Sequence, residues 1–125
     1  MRWCRFQSGN RTSYGIIEET SIIPVIGSPF EEWSRTQERI PLTEAKLLIP
    51  TIPSTFYAAG INYMDHVTKM AAITGRDVQP PTSADIGYRA NSALIADNEP
   101  IIIPKDASER TQYEAELVVV VGKKA

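Results

Sequence analysis

The chain has 125 residues, 42% hydrophobic and 22% charged, which is ordinary globular usage and enough apolar mass for a core without staples, in one compact domain or a small domain plus part of a larger one. The 13 Lys and Arg against 15 Asp and Glu leave a formal charge of -2 with the basic residues scattered, so nucleic acid is not a favoured partner. No apolar run approaches the ~20 residues of a membrane span, the opening Met1-Arg2-Trp3-Cys4-Arg5 is not a signal segment, and a single cysteine excludes an internal disulfide, so a soluble, cytoplasmic protein without a membrane partner is expected.

Trp3 to Phe6, Tyr14 to Glu18 and Ile22 to Ile26 are β-prone runs separated by the turn formers Ser8-Gly9-Asn10 and Glu19-Thr20-Ser21, and they predict a small antiparallel meander. Cys4, inside the first run, reads as a small buried hydrophobe. Pro29 to Ser34 predicts a short helix capped by Ser28, and Thr43 to Leu48 a turn of helix or a short strand. Pro41, Pro50 and Pro53 restrict their neighbours to extended geometry, so residues from about 41 to 54 read as a linker, with a small N-terminal domain and linker over 1–54 and a second unit over 55–125.

Phe56 to Ile61 predicts a strand, after which Asn62 caps a helix from Tyr63 to Thr74 that Gly75 closes, with Met64 and Met70 assigned to the core. Arg76 to Ala84, with Pro80-Pro81, reads as a loop whose candidate role is a lid. Ile86 to Ile95, the turn Asp97-Asn98-Glu99-Pro100, a strand over Ile101 to Ile103, a polar turn through Arg110 and a strand over Tyr113 to Val121 complete a mostly β second part.

The chemistry centres on a few residues. Glu114 and Glu116 are two apart on a predicted strand, so a period of two puts both on one face, about 7 Å apart, just before the core valines Val118 to Val121. A divalent cation would relieve their repulsion, and oxygen-only ligands suit Mg²⁺, Mn²⁺ or Ca²⁺; the plainer alternative is the solvated face of a strand mouth. His66, the only histidine, lies in the first turns of its helix, where a neutral imidazole could reach out of a cleft as a general acid or base; a carbonyl-bonded structural histidine is the alternative. Asp65 and Lys69, four apart, suit a surface ion pair.

Taken together, Gly60-Ile61-Asn62-Tyr63-x-Asp65-His66 after a strand, Tyr88-Arg89, Pro100-Ile101-Ile102-Ile103-Pro104, and Tyr113-Glu114-x-Glu116-Leu117 followed by valines and Gly122 resemble the fumarylacetoacetate hydrolase family, in its 2-hydroxyhepta-2,4-diene-1,7-dioate isomerase/hydratase-like branch. The resemblance covers residues from about 55 to 125, and the first unit looks like the small domain that precedes the catalytic one. It implies an α+β, mostly β fold, in which a small N-terminal β domain is followed by the start of a mixed β-roll or barrel, and a homodimer acting on small 2-oxo acids or 1,3-dicarbonyls. By resemblance, Glu114 and Glu116 are metal ligands for Mg²⁺, His66 is catalytic, and Arg89 and Tyr63 bind substrate, with a surface cation as the alternative for Arg89. The family's third metal ligand, an aspartate, is expected beyond Ala125, so the metal site is expected to be incomplete in this chain.

Lys69 stands where hydrolase and decarboxylase members pair the histidine with a glutamate, and an ammonium cannot orient an imidazole as an acceptor would. Isomerisation or hydration is therefore expected ahead of C–C bond hydrolysis. The alternatives are a catalytically inactive truncated member with a structural or partner-binding role, and a plain α+β binding module without metal.

Overall fold

The computed structural model describes residues 1–75, 79–107, 111 and 113–123. It separates into two units, one formed by Met1–Thr51 with Ile95–Ala125 and the other by Ile52–Leu94. Among the described residues there are eight strands and a single α-helix, so the α+β, mostly β class read from the sequence holds. Among the described residues no helix is long and apolar enough to cross a membrane.

The first unit is built on the expected meander. Strands β1 (Trp3–Ser8), β2 (Arg11–Glu18) and β3 (Ser21–Gly27) pair antiparallel through two-residue turns, with Trp3 opposite Ile16 and Gly15 opposite Pro24. Gly9 and Glu19 take positive φ (56° and 53°) at those turns, the conformation that reverses the chain in so few residues. The far edge of β3 takes two partners. β5 (Ile40–Pro41) pairs with its first half and β4 (Trp33–Arg35) with its last, while β6 (Lys46–Leu48) pairs with β1 at the opposite edge.

Pro24 sits in the interior of a central strand, where a missing N–H would ordinarily break the ladder. Here it falls between the β5 and β4 pairings, and its carbonyl accepts both the backbone N–H and the hydroxyl of Thr36, each at 3.0 Å. No ladder bond is lost on that edge.

The core follows from the alternation of β1. Cys4 and Phe6 point inward and cluster with Ile22 and Ile40, with Ile17, Leu42, Ala45 and Leu47 packed around them. Cys4 is buried, as expected, and burial pushes its thiol above the ordinary range. Gly15 leaves room for this cluster: a Cβ there would lie 2.4 Å from Ile22 Cγ2 and 3.0 Å from the Phe6 ring.

Two expectations in this unit are corrected and a third is sharpened. Residues Pro29 to Ser34 form no helix: the Ser28 hydroxyl does accept a bond from Phe30 N–H, but Trp33 leaves the turn to pair with β3 and sets its ring edge-on to Trp3 at 4.9 Å. Thr43 to Leu48 divides, with a 3₁₀ turn over Leu42–Glu44 before β6. Ile101 to Ile103 and residues 113–121 form no strand, and Leu117 and Val119 are 84% and 80% exposed. A strand exists only in a ladder, and no described residue supplies one there, so the buried valine strand of the sequence reading is absent. The polar turn through Arg110 lies partly outside the described residues.

The second unit holds β7 (Phe56–Gly60) and β8 (Asp85–Arg89), antiparallel with Phe56 opposite Arg89 and Gly60 opposite Asp85, and the helix α1 (Met64–Thr74) between them. Gly75 closes α1 in the left-handed conformation, its N–H bonded to Ala71 O at 3.0 Å, as the sequence predicted. The N-cap is Tyr63 rather than Asn62, and no side chain caps the helix. Val67 alone is buried in α1; Met64 and Met70, assigned to the core, are exposed, because few described neighbours cover this helix. Of the loop Arg76 to Ala84, residues 76–78 lie outside the described ones.

Candidate functional site

The candidate residues are divided between the two units. In the second, the route from β7 into α1 is set by one unusual residue. Ile61 has φ 48°, in the left-handed region that a β-branched side chain rarely enters. The chain thereby turns out of the ribbon within Ile61 and Asn62, and the Tyr63 carbonyl accepts both His66 N–H at 3.0 Å and Val67 N–H at 3.1 Å. His66 is thus fixed as the third helical residue, with its side chain exposed, and Asp65 puts a carboxylate in the first turn, where the helix dipole favours it. Tyr63 is exposed beside it. The ion pairs among the described residues do not include Asp65 with Lys69.

The register places Arg89 at the other end of the ribbon. Four residues separate it from Asp85, which pairs with Gly60, so Arg89 lies about 13 Å along β8 from the end where the chain turns into the helix. One face of the ribbon carries Phe56, Ala58, Gly60, Asp85, Gly87 and Arg89; the other carries Tyr57, Ala59, Ile86 and Tyr88. Arg89 Nη1 donates to Tyr88 O at 3.1 Å. On the opposite face the Tyr57 and Tyr88 rings stack tilted at 4.8 Å, and a hydrogen bond between them raises the Tyr57 phenol above its ordinary pKa.

Asp85 is a residue the sequence reading missed. Its carboxylate lies so close over Gly60 that a Cβ there would be 2.9 Å from Oδ2, which sets an acid at the strand end leading to His66. The available signal was its place two residues before Gly87 and four before Arg89, on one face of a strand.

In the first unit, Glu114 and Glu116 are exposed on a segment without regular structure, so the shared strand face expected from their spacing is not formed. Two carboxylates remain an oxygen donor set suited to a hard divalent cation. Among the described residues, no three His, Cys, Asp or Glu side chains come together as a metal-binding group.

Comparison with known proteins gives this arrangement a family. Residues 55–125 match the family model described as fumarylacetoacetate (FAA) hydrolase, C-terminal, and residues 1–50 match one described as Rv2993c-like, N-terminal. The chain is 34% identical over 95 residues to Protein Rv2993c of Mycobacterium tuberculosis, covering 76% of this chain and 33% of that protein. It is 37% identical over 79 residues to the homoprotocatechuate catabolism bifunctional isomerase/decarboxylase of Escherichia coli, covering 61% of this chain and 17% of that one. Among solved structures, 5-carboxymethyl-2-hydroxymuconate delta-isomerase from Mycobacterium smegmatis superimposes with a TM-score of 0.69 at 28% identity, covering 86% of this chain and 40% of that chain. The chain spans about a third of the length of the first curated relatives it matches. With more than half of its residues inside the C-terminal-domain model, this chain belongs to the fumarylacetoacetate hydrolase family.

Proposed function

We propose that this chain serves an enzyme that isomerises a small 2-oxo acid by moving a proton at the carbon next to the keto group. The match of residues 55–125 to the fumarylacetoacetate hydrolase C-terminal model carries the reading, and isomerases among its relatives and structural neighbours support it. Lys69, four-carbon-stemmed and cationic, in place of an acceptor beside His66 favours proton transfer over activation of water for hydrolysis.

In this reading the roles follow from chemistry. Arg89 suits a substrate carboxylate, which its guanidinium can hold through two parallel N–H···O bonds, and Tyr63, at the opposite end of the ribbon, offers a hydroxyl donor. His66 takes the proton from C3: that C–H bond breaks, its electron pair forms the C2–C3 double bond, and the former carbonyl oxygen carries the negative charge. Return of the proton to a different position completes the isomerisation. Glu114 and Glu116 are the residues that would hold a divalent cation such as Mg²⁺, which when bound supplies Lewis-acid stabilisation of developing negative charge on oxygen.

The test is exchange of the C3 protons of 2-oxobutyrate for deuterium, followed by proton NMR with Mg²⁺ and with chelator, beside thermal melts under the same conditions. Exchange above the uncatalysed rate, lost in chelator, in Glu116→Gln and in His66→Ala, is expected. Full exchange in His66→Ala would remove the proton-transfer role, and a Mg²⁺-dependent rise in melting temperature that survives Glu116→Gln would remove that ligand.

A second reading is favoured by one observation. Ile101, Ile102, Leu117 and Val119 are 76%, 85%, 84% and 80% exposed. Apolar surface of this kind marks a place that another chain covers, so a member without turnover that acts through a partner would show self-association and no exchange.

A further inference from the structure

Gly87 stands in the interior of β8, where a glycine weakens a strand, and its backbone does not require one: the glycines with positive φ are Gly9, Gly27 and Gly75. What it supplies is space. Gly87 and Arg89 share a face of the ribbon, and a Cβ built on Gly87 would lie 3.1 Å from Arg89 Nη1. The residue opposite Gly87 is Ala58, also small, so the strip beside the guanidinium is low on both strands. Arg89 uses that strip, folding back along its own strand until Nη1 donates to Tyr88 O at 3.1 Å. None of the ion pairs among the described residues involves Arg89.

We infer that Gly87 is a positioning residue: by lacking a Cβ it sets the direction in which Arg89 presents its N–H groups to a carboxylate ligand. The inference rests on the reading of Arg89 as the substrate-carboxylate residue. An alanine at 87 meets no backbone penalty, and the guanidinium must give by a few tenths of an ångström to admit its Cβ. A planar fork tolerates such a shift poorly, because both parallel bonds to a carboxylate depend on its angle. Lysine, with one rotatable ammonium and no fork, is insensitive to the same change.

The experiment is a calorimetric titration of the full chain with oxalate, a dicarboxylate analogue of a 2-oxo acid enolate, in the presence of Mg²⁺, with melts confirming that each variant folds. Arg89→Ala is expected to weaken binding about tenfold or more, and Gly87→Ala roughly fivefold, through misaligned charge-assisted hydrogen bonds. The effect of Gly87→Ala is expected to vanish in the Arg89→Ala background and in the Arg89→Lys background. Absence of binding by the unsubstituted chain, or unchanged affinity in Arg89→Ala, would overturn the reading of Arg89 and this inference with it. If Arg89→Ala weakens binding while Gly87→Ala has no effect, or has the same effect in all three backgrounds, Arg89 keeps its role and the positioning role of Gly87 is overturned.

Discussion

Lys46 and Glu99 are joined by a 2.8 Å salt bridge that fastens the turn at residues 96–99 to β6, the edge strand of the first unit's sheet. Glu99 uses both oxygens: Oε1 accepts from Lys46 Nζ, while Oε2 accepts from Ala96 N–H at 2.9 Å. The turn closes with Glu99 N–H donating to Ala96 O at 3.2 Å and Asn98 in the left-handed conformation at φ 59°. Asn tolerates that conformation better than most residues.

A pH dependence follows. The hydrogen bond from Lys46, then that from Ala96, holds the Glu99 carboxyl below the ordinary glutamate range. A depressed folded-state value stabilises the fold above the unfolded value, about pH 4.3 for a glutamate, and that contribution disappears as pH falls through the folded value. Glu99→Gln should therefore lower the melting temperature at pH 6 and cease to do so in strong acid. Melts of both proteins from pH 6 down to pH 3 read this directly; a constant difference across the range would count against it.

The tight packing around Phe6 makes a second prediction. Phe6→Ala should cost about 3–5 kcal/mol, as for other buried aromatic truncations, because Phe6 is fully buried in the main cluster. Gly15→Ala should cost about 1–3 kcal/mol by overpacking, since its Cβ would overlap Ile22 and crowd the Phe6 ring. In urea unfolding, Gly15→Ala in a Phe6→Leu background should cost less than in the unsubstituted protein, which a double-mutant cycle measures.

Ile61 offers a gain rather than a loss. Its left-handed backbone stores strain, and the side chain is about half exposed at 51%, so little burial is forfeited on replacement. Ile61→Asn should raise stability by about 1 kcal/mol in chemical denaturation. A drop instead would mean that the isoleucine side chain contributes packing that outweighs its backbone strain.

The paired tyrosines give a spectroscopic prediction. The Tyr88 partner raises the Tyr57 phenol, so the neutral form is favoured in the folded state; the associated stability is present below about pH 10 and lost as pH rises through the raised value. Tyr88→Phe should move one phenolate transition to lower pH in an ultraviolet titration. An unchanged titration curve would show that the two rings are not coupled in solution.

Much of the fold was legible because its signals are local. Alternation in β1 to β3, the two-residue turns between them, the strand Phe56–Gly60 and the Gly75 stop all rest on residues close in sequence, where period and turn chemistry act directly. The family was legible for a related reason, since the spacing of Gly60, Asn62, Tyr63, His66, Arg89, Glu114 and Glu116 is a property of the chain itself. Only the tertiary structure decided the rest. Trp33 became a strand residue because β3 had an edge to complete and Trp3 a ring to meet, and Pro24 was tolerated because its edge changes partner there. The position of Arg89 at the far end of the ribbon from the helix, and of Asp85 over Gly60, followed from a register that pairs Phe56 with Arg89 and Gly60 with Asp85, residues far apart in sequence. Residues 113–121 showed the limit most clearly: an apolar run has the propensity for a strand, but a strand is formed by its neighbours, and propensity does not supply them.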